Sequence, residues 1–421
     1  MLTLIGIVIC CFLIAGILIW PQVGLAVQLV GIIFVSMAVN YLGYQFGVSY
    51  VLLGFLLFGL FIFLLRARSR FFKITPEEML FVLFTCFLIC SLFYTTTPSY
   101  GRDKVQLFIA FGLAMVVACR IFGETPECLE KTLKVLSRFA LLELTFYILL
   151  FIFTQRTATS VEGRFSGGID DLIVGWANAS AVVLAGYLIM SRTKLFTKII
   201  SAVLMLAGLV VIVATGSRGP FVGLLIGSMI TFMQFRKMIV SSIILAFFGI
   251  IALTALYYFA PVEGRERVLS AFTSTSYEES GRPELFRLGL ELYGKHFLIG
   301  GGSGSFAYHR GWGDNRGYPH NFFVEVAAET GTIGLIIVIS MFLLCIKPIL
   351  FLRTNQTDFA VSKTVQWLFW VGLANAMVSF DIPEQRALFA SMGFLAAIRR
   401  WSQTNALEHG TQLKTLSEQL S

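Results

Sequence analysis

Long apolar runs alternate with short polar connections along almost the whole chain. The runs lie near residues 2–20, 23–42, 48–65, 78–96, 105–122, 137–154, 172–191, 199–215, 220–235, 238–260, 332–352, 364–380 and 387–398. Most approach the roughly 20 apolar residues that an α-helix needs to cross a hydrocarbon core of about 30 Å. The pattern predicts an all-α polytopic membrane protein with about 12 or 13 transmembrane helices.

Composition supports this fold class and excludes a soluble globular domain. Of the 421 residues, 57% are hydrophobic and 13% are charged, whereas soluble domains are about 45–50% apolar and about 25% charged. Further spans follow the first run and no basic segment precedes it, so we expect no cleavable signal peptide. The seven cysteines lie in or beside apolar runs without metal-ligand spacing, so neither a disulfide framework nor a zinc site is expected.

Lysine and arginine are concentrated in one set of connections, which predicts the side of the membrane that each connection faces. Basic residues of short loops tend to stay in the cytoplasm, so the net charge of +8 does not indicate a nucleic-acid partner. The predicted cytoplasmic residues are Arg66, Arg68, Arg70, Lys73, Arg120, Lys131, Lys134, Arg138, Arg192, Lys194, Lys198, Arg236, Lys237, Lys347, Arg353, Lys363, Arg399, Arg400 and Lys414.

One long hydrophilic segment, 261–331, interrupts the predicted bundle on the opposite side and holds three of the four histidines. Its basic residues make it either a solvated loop or a surface that binds an anionic ligand. Within it, 284–295 carries leucines at helical spacing (Leu285, Leu288 and Leu292), which predicts a surface helix lying against the membrane. The glycine-rich turn 300–305 can approach a ligand closely. Its candidate substrate-binding residues are Gly301, Gly302 and Gly304.

Two arginines lie where apolar runs meet polar segments. Arg218 lies within ATGSRGPFVG (214–223), where glycine and proline expose main-chain amides beside a guanidinium, a combination that suits phosphate oxygens. Arg282 lies within ESGRPELF (279–286), which resembles a helix start that favours anions. The alternatives are an interfacial anchor for Arg218 and an exposed loop arginine for Arg282.

A histidine and an asparagine, His320 and Asn321, directly precede an apolar helix-like run. Glu325 and Glu329 follow at helical offsets and could orient the histidine or cap the helix. The histidine is either structural or a general base, because a neutral imidazole can take a proton near pH 7. Together with two guanidinium groups and a glycine-rich turn it would suit a lipid-linked pyrophosphate, whose departure needs charge stabilisation. No metal-ligand pattern occurs in the outer loops, so we expect no metal and no cofactor.

Four segments carry a resemblance to a known family. They read RFSGGIDDLIVGWANASA (164–181), TGSRGPFVGLLIG (215–227), GRPELFRLGLELYGKHFLIGGGSGSF (281–306) and HNFFVEVAAETGTIGL (320–335). Their order and spacing resemble the O-antigen ligase and O-antigen polymerase superfamily of bacterial membrane glycosyltransferases. The likeness covers roughly 160–340. Ligases and polymerases share these motifs, so the resemblance leaves the choice between them open and favours a ligase only slightly.

The resemblance implies a C-type glycosyltransferase-like fold that takes a glycan from undecaprenyl pyrophosphate on the periplasmic side of the bacterial inner membrane. Ligases transfer it to lipid A-core in lipopolysaccharide biosynthesis, and polymerases transfer it to another repeat unit. The implied reaction is metal-independent and inverting. The family's functional residues match His320, Arg218 and Arg282. The implied substrate-binding residues are Arg164, Asn321, Gly301, Gly302, Gly304 and Glu325.

The same resemblance divides the chain into four parts. These are a first part of the helical bundle (1–260), a periplasmic catalytic loop (261–331), a last part of the bundle (332–400) and a cytoplasmic tail (401–421). Within the first part, Asn178 matches a further family segment, but the family's Pro-Asn pair is Ala-Asn in this chain, which weakens its case as a direct contact.

A membrane transporter is the main alternative from another class. Transporters place ionisable groups near the middle of the membrane on broken helices. The best candidate is Glu143, with Asn178 and Asn375 as possible partners. A purely structural membrane scaffold is a further alternative, but it does not call for the cluster of Arg218, Arg282 and His320.

Overall fold

The computed structural model describes residues 2–32, 34–36, 48–66, 74–154, 171–215, 218–233, 281–354, 359–379 and 381–401. These residues form helices and turns and contain no strand. The predicted run 238–260 lies outside them, and each other predicted run overlaps a helix. The all-α polytopic membrane class predicted from the sequence is therefore confirmed.

Fourteen helices of the described residues are numbered here in chain order. They are α1 Leu2–Ile19, α2 Val23–Leu29, α3 Val48–Arg66, α4 Pro76–Ser91, α5 Pro98–Phe122, α6 Pro126–Thr154, α7 Asp171–Met190, α8 Leu195–Ala214, α9 Arg218–Met233, α10 Arg282–Lys295, α11 Ser305–His309, α12 Phe322–Thr354, α13 Phe359–Ala376 and α14 386–401. Among them, five are long and apolar enough to cross a membrane, namely α5, α6, α7, α8 and α12.

One end of the bundle gathers basic residues that the sequence assigns to the cytoplasmic face. Helix α4 begins with a capping box in which Thr75 and Glu78 satisfy each other's main-chain amides. Glu78 Oε1 also accepts a hydrogen bond of 2.7 Å from Arg120 Nε at the end of α5. Glu77 Oε1 accepts one of 2.6 Å from Arg399 at the end of α14. The two arginines therefore lie at the same end, as their assignment to one face of the membrane requires.

Helices α9 and α13 pack closely because glycines of α9 face α13. These glycines, spaced four residues apart, are Gly219, Gly223 and Gly227. A Cβ at Gly227 would lie 2.5 Å from the main-chain nitrogen of Val371, so no larger residue fits this interface without moving a helix. The same packing brings the start of α9 against the end of α13, where Asn375 and Ser379 lie.

Helix α12 is broken at Gly331, whose φ of 64° and ψ of −162° interrupt the helical path. A Cβ at this position would lie 2.5 Å from the main-chain carbonyl of Leu298, so only glycine allows this close approach. We call residues 322–330 the short arm of α12. The break coincides with the predicted boundary between the outer loop and the last part of the bundle. The residues before it are nevertheless helical and buried, with Val326 fully enclosed.

Helix α10 presents its leucine stripe to the protein and not to the membrane. Leu285 and Leu292 are buried in a small core with Phe306, so the prediction that this stripe lies against the membrane is wrong. The reason is that α10 packs against the short arm of α12, which the sequence did not predict. The outward face of α10 carries the exposed side chains of Phe286 and Leu290.

Candidate active site

The short arm of α12 begins with a side-chain cap. Asn321 Oδ1 accepts hydrogen bonds of 3.1 Å from the main-chain nitrogens of Phe323 and Val324, which have no partner within the helix. Asn321 Nδ2 donates to the main-chain oxygen of Met377 at 3.0 Å. One side chain therefore starts the short arm and ties it to the segment that follows α13.

His320 directly precedes this cap and has a left-handed main-chain conformation, with φ of 57°. Histidine is one of the few non-glycine residues found there with some frequency, but the conformation carries strain. Its ring meets the ring of Tyr318 edge to face at 4.6 Å. Its Nδ1 is buried and has no hydrogen-bond partner among the described residues. The position of the imidazole therefore depends on the main chain that carries it.

The electrostatic surroundings keep the imidazole of His320 neutral. The pKa of the His320 imidazole is lowered from 6.5 to about 4, chiefly by burial and further by the positive charges of Arg282 and Arg316. At pH 7 the ring is uncharged, as a general base requires. The same interaction places Arg282 within electrostatic reach of His320.

Arg282 is the first residue of α10, as the sequence predicts from Pro283 in the first turn. The preceding Gly281 has a left-handed conformation, with φ of 68°, and no side chain caps the helix. The positive end of the helix dipole therefore lies beside a guanidinium. Both features favour an anion at this position.

Arg218 is the first residue of α9, and its side chain lies outside the described part of the structure. Its neighbour Gly219 packs against the end of α13, because a Cβ there would lie 3.0 Å from the Cβ of Ser379. Asn321 bonds to Met377 in the same short segment. The start of α9 and the segment carrying His320 therefore meet at residues 375–379.

Arg316 is a third arginine of the site, and the sequence analysis assigned it no role. Its Nη2 donates to Glu384 Oε2 at 2.8 Å, and its Nε lies 3.6 Å from Asp381 Oδ2. The guanidinium also lies over the ring of Tyr318, 5.4 Å from the centroid. Arg316 thus joins the His320 segment to the connection between α13 and α14. Its place four residues before His320 was the only available signal.

The start of α5 is tied to the same region. Asp314 accepts hydrogen bonds of 2.9 and 2.8 Å from the main-chain nitrogens of Ser99 and Tyr100, where a carboxylate also complements the helix dipole. The hydroxyl of Tyr100 donates to Asp381 Oδ2 at 3.4 Å. Residues 314–320 are therefore fixed to the bundle on two sides.

The three predicted glycines lie in a buried turn between α4 and the short arm. The main-chain nitrogens of Gly301 and Gly302 each donate to a carbonyl of the short arm at 2.9 Å. Gly302 and Gly304 have φ of 92° and 82°, and a Cβ at Gly302 would lie 2.7 Å from the Cα of Thr95. These glycines thus allow the turn to pack closely against the short arm and against Thr95. Their contact with substrate stays a prediction.

Glu325 and Glu329 face one buried lysine. Lys104 Nζ donates to Glu325 Oε1 and, at 2.6 Å, to Glu329 Oε2, and all three side chains are at most 3% exposed. Because residues 97–104 lie between two predicted apolar runs, the hydropathy pattern predicts a polar connection there and gives no sign that Lys104 is buried. Helix α5 in fact begins at Pro98, which places the lysine inside the bundle.

The contacts described above involve none of the remaining predicted residues. Arg164 lies outside the described residues. Asn178 donates to the main-chain oxygen of Val174 within its own helix. Glu143 is fully buried, and neither of its carboxylate oxygens has a hydrogen-bond partner among the described residues. The pairing with Asn178 or Asn375 that a transport site would use is therefore not formed.

The fold and the site together define a polytopic membrane protein of helices with a polar, arginine-lined cluster at one end of the bundle. Residues 200–339 match the family model described as O-antigen ligase, and this range contains Arg218, Arg282 and His320. The resemblance to the O-antigen ligase and polymerase superfamily is therefore confirmed. A search of curated proteins finds no match to this chain.

Proposed function

We propose that this protein is an O-antigen ligase that transfers a glycan from undecaprenyl pyrophosphate to a hydroxyl of lipid A-core. The reaction would take place at the periplasmic face of the bacterial inner membrane. The observation that carries the proposal is the neutral imidazole of His320 beside Arg282, at one end of the bundle and within the matched domain. A lipid-linked donor would present its pyrophosphate at the height of the lipid headgroups. We expect the end of the bundle that carries His320 to lie at the same height.

In the proposed reaction, His320 takes the proton of the acceptor hydroxyl as its oxygen attacks the anomeric carbon of the donor sugar. The bond between that carbon and the pyrophosphate oxygen breaks, and the pyrophosphate leaves with the bonding electrons. Arg218 and Arg282 bind it and stabilise its negative charge. Attack opposite to the leaving group inverts the anomeric configuration. Because guanidinium groups supply the charge stabilisation, the proposed mechanism uses no metal.

Asn321 and Glu325 support the base without touching the reacting atoms in this proposal. Asn321 caps the helix that follows His320. Glu325 is enclosed and bonded to Lys104, so we assign it to positioning and not to direct substrate binding.

The proposal is tested with purified protein in lipid nanodiscs and lipid-linked repeat units, with and without lipid A-core. A ligase forms product only when lipid A-core is present. A ladder of longer lipid-linked glycans without lipid A-core would identify a polymerase of the same superfamily. Movement of labelled solute across proteoliposomes without any new glycosidic bond would instead support a transporter and contradict the proposal.

A further inference from the structure

The buried ion cluster of Lys104, Glu325 and Glu329 takes no part in the chemistry proposed above. It joins helix α5 to the short arm of α12 through two bonds from one ammonium group. Glu325 and Glu329 lie four residues apart, so they occupy the same face of the short arm. Rotating or sliding the arm along α5 would break at least one of these bonds.

The rest of the short arm is held at its two ends. At its start, Asn321 caps it and bonds to Met377. At its end, the main-chain nitrogen of Gly302 bonds to the carbonyl of Glu329, and the helix breaks at Gly331. Between these ends the arm is held by the ion cluster on one side and by its packing against α10 on another. The short arm is therefore fixed along its whole length, although it is only a few turns long.

His320 needs such a support because its own ring has few attachments. Its Nδ1 has no hydrogen-bond partner among the described residues, and the contact with Tyr318 is between ring faces and edges. A left-handed main chain at His320 persists only where the surrounding structure enforces it. The orientation of the imidazole thus follows from the placement of the short arm that begins two residues later.

We infer that Lys104 is a positioning residue, whose bonds to Glu325 and Glu329 hold the short arm of α12 and thereby aim His320 at the acceptor hydroxyl. The inference rests on the proposed function, because the orientation in question is that of the His320 imidazole toward the acceptor hydroxyl of the transfer reaction. Charged partners suit this task, because hydrogen bonds between charged groups are stronger than those between neutral groups. Replacing a buried ionic triad by hydrophobic residues of similar volume often leaves stability unchanged, so stability alone does not explain why ionisable groups are present.

The decisive variant replaces all three ionisable side chains together, as Lys104→Met with Glu325→Leu and Glu329→Leu. We expect this variant to fold with a Tm close to that of the wild type. Its KM for the donor should be unchanged. Its kcat should fall about tenfold to a hundredfold, the loss that a small misplacement of a catalytic group produces. The matched control is Lys134→Met, which removes a partly exposed lysine paired with Glu130 at the opposite end of the bundle. Its kcat should equal that of the wild type.

A second measurement does not depend on glycan transfer. NMR of histidine-labelled protein, with the His320 signal assigned by its loss in His320→Asn, follows the pKa of the imidazole directly. In the triple variant this pKa should move from about 4 toward 6.5, because a displaced ring is less buried and farther from Arg282. A merely structural role for the cluster would leave the pKa unchanged in folded protein.

The outcomes separate the two proposals. An inactive wild type contradicts the proposed function, while the NMR result still tests the positioning. An active wild type together with a triple variant of wild-type kcat and wild-type His320 pKa overturns the role of Lys104. If the triple variant does not fold, Glu329→Gln tests the inference instead, because it keeps the Lys104–Glu325 ion pair and removes only the ion pair with Glu329. A wild-type kcat in that variant would contradict the two-point attachment, and a lower kcat with unchanged KM would support it.

Discussion

Arg282 and His320 lie within electrostatic reach of each other although they belong to different segments of the outer loop. Burial is the largest cause of the low pKa of His320, and Arg282 is the next. Arg282 begins helix α10 and His320 precedes the short arm of α12, and these two helices pack together. The residue proposed to bind the leaving anion thus lies within electrostatic reach of the residue proposed to take the proton.

This relationship predicts the pH dependence of glycan transfer. Because kcat/KM reports the free enzyme, its acid limb should fall near pH 4, where His320 gains a proton, and not near its ordinary pKa of 6.5. In Arg282→Gln the limb should move upward, since losing a positive neighbour makes protonation easier. It should stay below 6.5, because burial remains. An acid limb near 6.5 in both proteins would contradict the placement of His320.

Replacing the base should remove most of the activity without unfolding the protein. Asparagine tolerates the left-handed conformation of His320, so His320→Asn keeps the main chain while removing the imidazole. We expect kcat to fall by about 10²- to 10⁴-fold, the usual contribution of a general base. His296→Asn is the control, because His296 is exposed at the end of α10. Equal activity of the two variants would exclude His320 as the base.

Arg282→Lys tests whether the guanidinium grips the pyrophosphate with two hydrogen bonds. Lysine keeps the charge but cannot form the planar fork, so kcat/KM should fall by about tenfold or more, the effect of losing one charged hydrogen bond. The control is Arg287→Lys on the same helix, where Arg287 is exposed and pairs with Glu291. Full activity of Arg282→Lys would show that charge alone suffices at this position.

The sequence was sufficient to predict most helices because an apolar span is a local signal of length and hydropathy. It predicted 137–154, for example, whereas α6 begins at Pro126. The first turns of α6 carry Glu127, Lys131 and Lys134, and such residues resemble a loop when only hydropathy is considered. The apolar part of the helix was found and its amphipathic part was missed.

The short arm of α12 shows why part of the site could not be predicted. Its two glutamates made residues 322–330 resemble the end of a polar loop, but in the fold both are buried and each accepts a hydrogen bond from Lys104. That lysine lies 221 residues from Glu325 in the sequence. A pairing over such a distance leaves no local pattern. The same holds for Arg316 and its partner Asp381, which the fold brings together from separate segments.

Gly302→Ala should destabilise the protein by more than the strain of its main-chain conformation. A non-glycine residue at φ of 92° costs about 1–2 kcal/mol, and the new Cβ would also lie 2.7 Å from the Cα of Thr95. Gly311→Ala is the matched control, since Gly311 has φ of 88° but no atom near its Cβ position. Thermal unfolding should give a lower Tm for Gly302→Ala than for Gly311→Ala. Equal Tm values of the two variants would mean that the turn accommodates the new Cβ with little loss of stability.

Glu384→Gln should stabilise the protein at alkaline pH. Burial raises the pKa of Glu384 from 4.5 to about 7, and Asp381 adds to the rise although Arg316 opposes it. The folded protein therefore holds a proton that the unfolded chain releases more easily, and the stability contributed by Glu384 is lost as pH rises from 4.5 through 7. Glutamine resembles the protonated acid at every pH, so the Tm of the variant should exceed that of the wild type at pH 8 and match it near pH 4. Glu284→Gln, an exposed carboxylate of α10, serves as the control and should leave the Tm difference between these two pH values unchanged. If Glu384→Gln lowered the Tm at pH 8, the ion pair with Arg316 would outweigh the burial of the carboxylate.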